Sequence, residues 1–261
     1  MKRFWSMVLV SGVAGVAGCG AASYKTRMDA TLSRKIDEQG MNDNLEPPAK
    51  SRFEEYSVFL RVPKRLGESD LIWTAPPGLF ERTASFVGSP EPVKKSDDTA
   101  GPTLPPLKMH VLVRQKPKKA AVKKGEPAPP VDPLTANRGD DFIGDVRNLM
   151  AADYGADANG GKKPVEYRAG EMNFKNLNFL AANGDNVRAY FARDDKSETE
   201  VAIIFDVPPP LLNTPMVTKG VRFALTSFAM GAAARRNFNG GVPGASGAPA
   251  ESGKPPGGPA F

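Results

Sequence analysis

The run Phe174-Lys175-Asn176-Leu177-Asn178-Phe179-Leu180-Ala181-Ala182-Asn183-Gly184-Asp185-Asn186-Val187-Arg188-Ala189-Tyr190-Phe191 alternates, turns and alternates again. In an extended chain, successive side chains point to opposite faces. Phe174, Asn176, Asn178 and Leu180 therefore share one face, and Leu177 and Phe179 the other. Asn183-Gly184 is the pair that a two-residue hairpin favours, because both central positions of that turn need positive φ. On the return, Val187, Ala189 and Phe191 alternate with Arg188 and Tyr190. A short strand at 165–168 precedes this hairpin. Asp194-Asp195-Lys196-Ser197-Glu198 makes the next polar turn, and residues 201–207 form the last strand. The region 165–207 thus predicts an antiparallel meander.

Upstream, residues 56–62 alternate, with Tyr56, Val58, Leu60 and Val62 on one face, and Pro63 ends the strand. Residues 83–87 predict a further short strand. Residues 109–114 predict another, with Met109, Val111 and Val113 towards the core. His110, Leu112 and Arg114 take the opposite phase, which makes the only histidine a solvent-facing strand residue. Residues 89–106 are polar and Pro-rich and predict a loop. Residues 140–154 predict a helix, capped by Asp140 or Asp141 and stopped by Gly155. After Pro208-Pro209-Pro210 a second helix starts at Thr214-Pro215. Its face is Val217, Val221, Leu225, Phe228 and Ala232, and Arg235 and Arg236 suit its end. The fold class is α+β, an antiparallel sheet covered by helices across residues 53–238. A basic Pro-rich insert interrupts it at about 115–135. With 25 Pro and 26 Gly in 261 residues, the chain also predicts disordered Pro/Gly-rich segments, the insert and the tail 239–261 among them.

The N-terminus carries a second signal. Lys2 and Arg3 precede an apolar run over residues 4–16, and Val16-Ala17-Gly18 leads into Cys19, the chain's one cysteine. A charged start, an apolar stretch and small residues at a cut mark an export signal. The run is short of the roughly 18–20 residues that cross a bilayer. The sequence Val16-Ala17-Gly18-Cys19 resembles the lipobox of bacterial lipoproteins. That resemblance implies a signal peptide over residues 1–18 and acylation of Cys19, which becomes the lipidated first residue. It also implies a bacterial cell-envelope location. By the same resemblance, Gly20 in place of Asp after the cysteine implies the outer membrane. Residues 19–52 are then a lipidated tether with a short helix, whose weak apolar stripe is Tyr24, Met28, Leu32 and Ile36. The tether reading is preferred to a partner helix, because fewer than three heptads are present.

Three further features bear on function. Lys116, Lys118, Lys119, Lys123 and Lys124 make the insert basic. They suit a contact with anionic lipid or cell-wall polymer, or serve as a solvated loop. They have no interleaved aromatics for stacking on nucleic acid, so no nucleic-acid partner is expected. Trp73 and Phe80, flanking Ala75-Pro76-Pro77-Gly78, form an apolar binding lip or close one end of the core; the second reading is preferred. Asp194, Asp195 and Glu198 lack the ligand spacing of a calcium loop. Residues 155–164 lack the Lys and Ser or Thr of a phosphate loop. No metal, cofactor or catalytic set is expected, since a hydrolase built on His110 lacks a placed acid and nucleophile.

The strand Tyr56-Ser57-Val58-Phe59-Leu60-Arg61-Val62-Pro63, the helix from Asp141, the Asn183-Gly184 hairpin and the terminal helix from Pro215 together resemble the PsbP-like alpha/beta fold. That family includes small bacterial lipoproteins, which mostly act as assembly or binding proteins. The resemblance implies a non-enzymatic binding or scaffold module. A ligand-binding or hydrolytic domain with a pocket near Trp73 and Phe80 is the alternative, and a structural surface lipoprotein a third.

Overall fold

The computed structural model describes residues 4–69, 75–89, 92–94, 100–116, 140–155 and 163–239. The chain divides into two units, Met1–Asp43 and Asn44–Phe261. The first holds one helix, α1 (Phe4–Asn44). This helix is continuous through Cys19, longer than the short tether helix expected from residue 21. Tyr24, Met28, Leu32 and Ile36 are all exposed along it.

The second unit opens with β1 (Leu45–Pro48), α2 (Lys50–Phe53) and a 3-10 turn over Glu54–Tyr56. Then come β2 (Val58–Phe59), β3 (Arg61–Pro63), β4 (Leu66–Ser69), β5 (Arg82–Gly88), β6 (Pro92–Lys94), β7 (Ala100–Thr103) and β8 (Lys108–Gln115). α3 (Phe142–Tyr154) follows, with β9 (Val165–Ala169), β10 (Met172–Leu180), β11 (Asn186–Asp194) and β12 (Thr199–Val207). The chain closes with a π-helical turn over Met216–Val221, α4 (Arg222–Ser227), β13 (Ala229–Met230) and α5 (Gly231–Phe238). Seven strands form one sheet in the order β4-β5-β8-β12-β11-β10-β9, each pair antiparallel. The meander is as expected and turns at Asn183-Gly184, but the ladder ends at Leu180↔Asn186 with Ala181 N donating to Asp185 O, so the loop is longer than two residues and only Gly184 of the pair takes positive φ (88°). The structure is thus a mixed α+β fold built on an antiparallel sheet.

Both faces of the sheet are covered. On one, Leu112, Ala202, Ile204, Val187, Ala189, Phe191 and Leu177 pack with Phe142, Val146, Leu149 and Met150 of α3. As expected, α3 is capped by Asp141, whose side chain accepts from Gly144 N at 3.0 Å, and ends at Gly155 in the left-handed region. On the other face, Tyr190 meets Phe205 and Phe174 meets Phe228, with ring centroids 6.1 and 5.4 Å apart. β12 consequently has all nine residues buried. Strands covered on both sides read as near-continuous apolar runs.

Double coverage overturns the placement of His110. It is 4% exposed, and its face-mates Leu112 and Arg114 are as deeply buried as Met109, Val111 and Val113. Alternation assigned two faces correctly, but only one of them was expected to be dry.

Three element expectations also change. The strand at 56–62 is kinked where Ser57 takes φ 53°. β2 then pairs with β13 and β3 with β1, and Val58, Phe59, Leu60 and Val62 are all buried. The helix from Pro215 is broken at Phe228, which is extended (ψ 136°) so that Ala229–Met230 can pair with β2. α5 restarts at Gly231, and Ala234 and Phe238 pack on Phe59 and Ala229 while Ala232 is exposed. Thr214 caps nothing with its hydroxyl, which donates to Leu211 O instead. Within residues 89–106, β6 and β7 pair as a short antiparallel ladder. β4 and β1 were not anticipated.

Candidate functional site

A cleft of about 1300 Å³ opens at one end of the sheet. Its walls are the end of β8 (Gln115, Lys116), the β11–β12 turn (Asp194 to Glu198), the 3-10 turn with Ser57, and the β13–α5 junction from Met230 to Arg235. Local chemistry builds each wall. The Asp194 carboxylate accepts from Lys196 N at 3.2 Å and from the Ser197 hydroxyl at 2.7 Å, folding the acidic turn onto itself. Glu198 completes that turn at φ 52°. Its carbonyl accepts from Lys116 N at 2.9 Å, which ties the two strand ends together.

The opposite wall is held by the kink at Ser57. Its carbonyl accepts from Gly231 N at 2.8 Å and its hydroxyl oxygen accepts from Arg235 Nε at 3.1 Å. Gly231 is required there. It sits at φ 61°, and a Cβ would lie 2.6 Å from Asp194 Oδ2. At the back of the cleft, Glu81 Oε2 accepts from Gln115 N at 2.8 Å. Burial raises the Tyr56 pKa above its ordinary value, and the neighbouring Glu55 adds to the rise.

The lining carries carboxylates from Glu55, Glu81, Asp194, Asp195 and Glu198 against the cations Lys116, Lys196 and Arg235. It has no histidine or cysteine. Such a surface recognises charge and hydrogen-bonding partners. Among the described residues no group of three or more His, Cys, Asp or Glu is placed to hold a metal ion. The hairpin-tip carboxylates instead bond their own turn and Arg193, whose Nε lies 2.6 Å from Asp195 Oδ1.

The residues singled out from sequence scatter. Lys116 is half-buried at the rim of the cleft; Lys118, Lys119, Lys123 and Lys124 lie outside the described residues. So do Trp73, the rest of the Pro-rich insert and the tail from residue 240. Phe80 packs edge-on against Phe142 at 6.1 Å and lines the core. Cys19 falls within the span of α1.

Sequence reasoning missed three polar clusters inside the sheet. His110 Nδ1 lies 2.8 Å from Ser85 Oγ, a residue 25 positions away brought opposite by the β5–β8 register. Burial above all, then the charge of Lys108, lowers the His110 pKa to about 4. Serine and histidine in contact have the elements of a nucleophile and base, but each is only 4% exposed, so the pair is an interior one. Near the cleft end of the sheet, Arg114 (2% exposed) lies 2.6 Å from Asp145 and 2.9 Å from Glu200, with its guanidinium 4.7 Å above the Phe142 ring. This anchors α3 to β8 and β12. At the other end of that face, Lys108 Nζ sits 3.0 Å from the buried Asp206. Burial raises the Asp206 pKa; Lys108 opposes the rise and Asp185 adds to it. No short motif signals these contacts, because each is made by residues distant in sequence.

No protein-family model matches the chain, and no curated protein matches it. Among solved structures, it is similar to the Saccharomyces cerevisiae Ran-binding protein Mog1p. The identity is 12% over 67% of this chain and 90% of that one, with a TM-score of 0.34. A mutant of protein Mog1 gives 13% identity over 72% and 96%, with a TM-score of 0.36.

Proposed function

We propose that this chain is a lipid-anchored, non-enzymatic binding or scaffold module of the bacterial cell envelope, with a PsbP-like α+β domain. The cleft at the end of the sheet carries the binding part of this reading. It is open, polar and of mixed charge, and its walls are backbone turns pinned by Ser57, Gly231 and Asp194. Preformed polar walls suit recognition of a protein or polymer partner bearing complementary charge. The anchor part rests on Val16-Ala17-Gly18-Cys19 and on the single cysteine. Acyl chains on Cys19 hold the domain at the membrane, since stable attachment takes more than one lipid signal. The outer membrane is the proposed site. Lys116 at the rim of the cleft, with Lys118, Lys119, Lys123 and Lys124, adds a salt-sensitive contact with anionic surfaces.

The test is fatty-acid labelling and membrane fractionation of the wild-type chain and Cys19→Ala, followed by cross-linking pull-down of each and of an Arg235→Glu variant. Label on the wild type alone, and a cross-linked envelope component lost with Arg235→Glu, are expected. Equal labelling of Cys19→Ala would remove the anchor. Capture indifferent to Arg235→Glu would remove the cleft from binding.

A further inference from the structure

We propose that β9 is a self-pairing edge through which two copies of this chain join their sheets antiparallel about a two-fold axis at Tyr167. β9 ends the seven-stranded sheet, and among the described residues no strand pairs with its outer side. An open edge presents unpaired N–H and C=O groups, and proteins usually blunt it with Pro, charged side chains (Lys above all), a bulge or a covering segment. β9 (Val-Glu-Tyr-Arg-Ala) has no Pro within it, although Lys163 and Pro164 directly precede it; its two charged residues are of opposite sign, and its register with β10 runs unbroken from Val165↔Asn176 to Ala169↔Met172. The other edge differs: β4 is four residues long, and its Glu68 is ion-paired with Arg52.

The charge pattern selects a second copy as the occupant. Pairing antiparallel about Tyr167 sets Glu166 of each copy opposite Arg168 of the other, and Val165 opposite Ala169. Glu166 and Arg168 are both exposed, on the sheet face opposite to Tyr167. Within one copy Glu166 is already opposite Lys175 on β10. Across the joint the row therefore reads Lys175, Glu166, then the second copy's Arg168, with signs alternating. Opposite charges directly across a strand pair stabilise it and like charges destabilise it. Tyr167 packs on the other face, its ring 5.2 Å from Tyr190, and Val165 beside it is 68% exposed. Five residues of edge bury less than a standard interface, so the dimer is a weak one, micromolar or looser.

The experiment is sedimentation equilibrium of the full chain in density-matched detergent, for wild type, Glu166→Arg, Arg168→Glu, the double exchange, and a mixture of the two single variants. Wild type should dimerise reversibly. Each single variant should weaken the dimer by roughly tenfold or more, since two attractive pairs become repulsive. The double exchange should restore it. The mixture should form a heterodimer, because one variant then presents two arginines at this edge and the other presents two glutamates. A monomer at every concentration, or a dimer indifferent to both single reversals, overturns the proposal.

Discussion

Lowering the pH from 7 to 4 should destabilise this protein by roughly 3 kcal/mol through His110. The folded protein holds the imidazole neutral, because the ring is 4% exposed and sits on the same strand as Lys108. Its pKa falls from 6.5 to about 4. In the unfolded chain the ring is hydrated and protonates below about 6.5. Between those values the unfolded state binds one more proton than the folded state, so stability decreases as the pH falls. Above 6.5 the contribution is constant, and below about 4 no further loss occurs. At 1.36 kcal/mol per pH unit the span is worth roughly 3 kcal/mol, a large part of the 5–15 kcal/mol that holds a typical domain together. Other groups titrate in this window, and Asp206, with its raised pKa, acts in the opposite direction. A difference between two proteins cancels them. The reference is Ser85→Ala/His110→Leu, which removes both hydrogen-bonding partners and leaves neither unsatisfied. Urea unfolding followed by circular dichroism at half-unit steps from about pH 7.5 to 3.5 gives each stability curve. The wild type should lose roughly 3 kcal/mol more than the double variant. Parallel curves would refute the argument and mean that His110 is hydrated or paired when protonated.

Three further outcomes follow from the same geometry. Arg114→Ala should cost about 3–5 kcal/mol by removing the nearer partner of the buried Glu200 carboxylate, which keeps only Arg193 at 3.7 Å, whereas Arg114→Met/Glu200→Leu should cost clearly less; equal losses in urea titration would contradict the buried pair. Gly231→Ala should cost about 1–3 kcal/mol, because φ 61° disfavours a side chain and the new Cβ meets a carboxylate already fixed by its own turn. A wild-type thermal midpoint would show that the wall yields. Replacing Lys116, Lys118, Lys119, Lys123 and Lys124 by Gln should weaken binding of the full chain to anionic vesicles at low salt, by up to ~1 kcal/mol per lysine near the surface. Unchanged binding would assign the lysines to solubility.

The candidate site was almost illegible beforehand. Trp73 and Phe80 stood out as large apolar residues, but Phe80 serves the core. The cleft is made of Ser57, Glu81, Gln115, Asp194, Gly231 and Arg235, common residue types at no informative spacing. Of the lining, sequence alone reads the acidic turn as a hairpin tip and not as a metal site, Lys116 as part of the basic insert and Arg235 as a helix-end cation, none of them as parts of one site. The kink at Ser57 and the break before Gly231 both escaped notice for one reason. Each is imposed by its partner, since Val58–Phe59 and Ala229–Met230 pair across a long separation, and that pairing outweighs the local preference of one for a longer strand and of the other for a continuous helix.

What the sequence determined by itself was local. The Asn183-Gly184 hairpin, the alternation along β10 and β11, the Asp141 cap and the Gly155 stop all arise from neighbours within a few residues, where φ preferences and short-range hydrogen bonds act. The antiparallel sheet with covering helices followed from those pieces. Tertiary structure decided how many faces of the sheet are dry. A period of two states that side chains alternate, and cannot state what lies above either side. α3 covers one face and the segment through Phe228 the other, so His110, Arg114, Glu200 and Asp206 became interior groups that must find partners in distant strands.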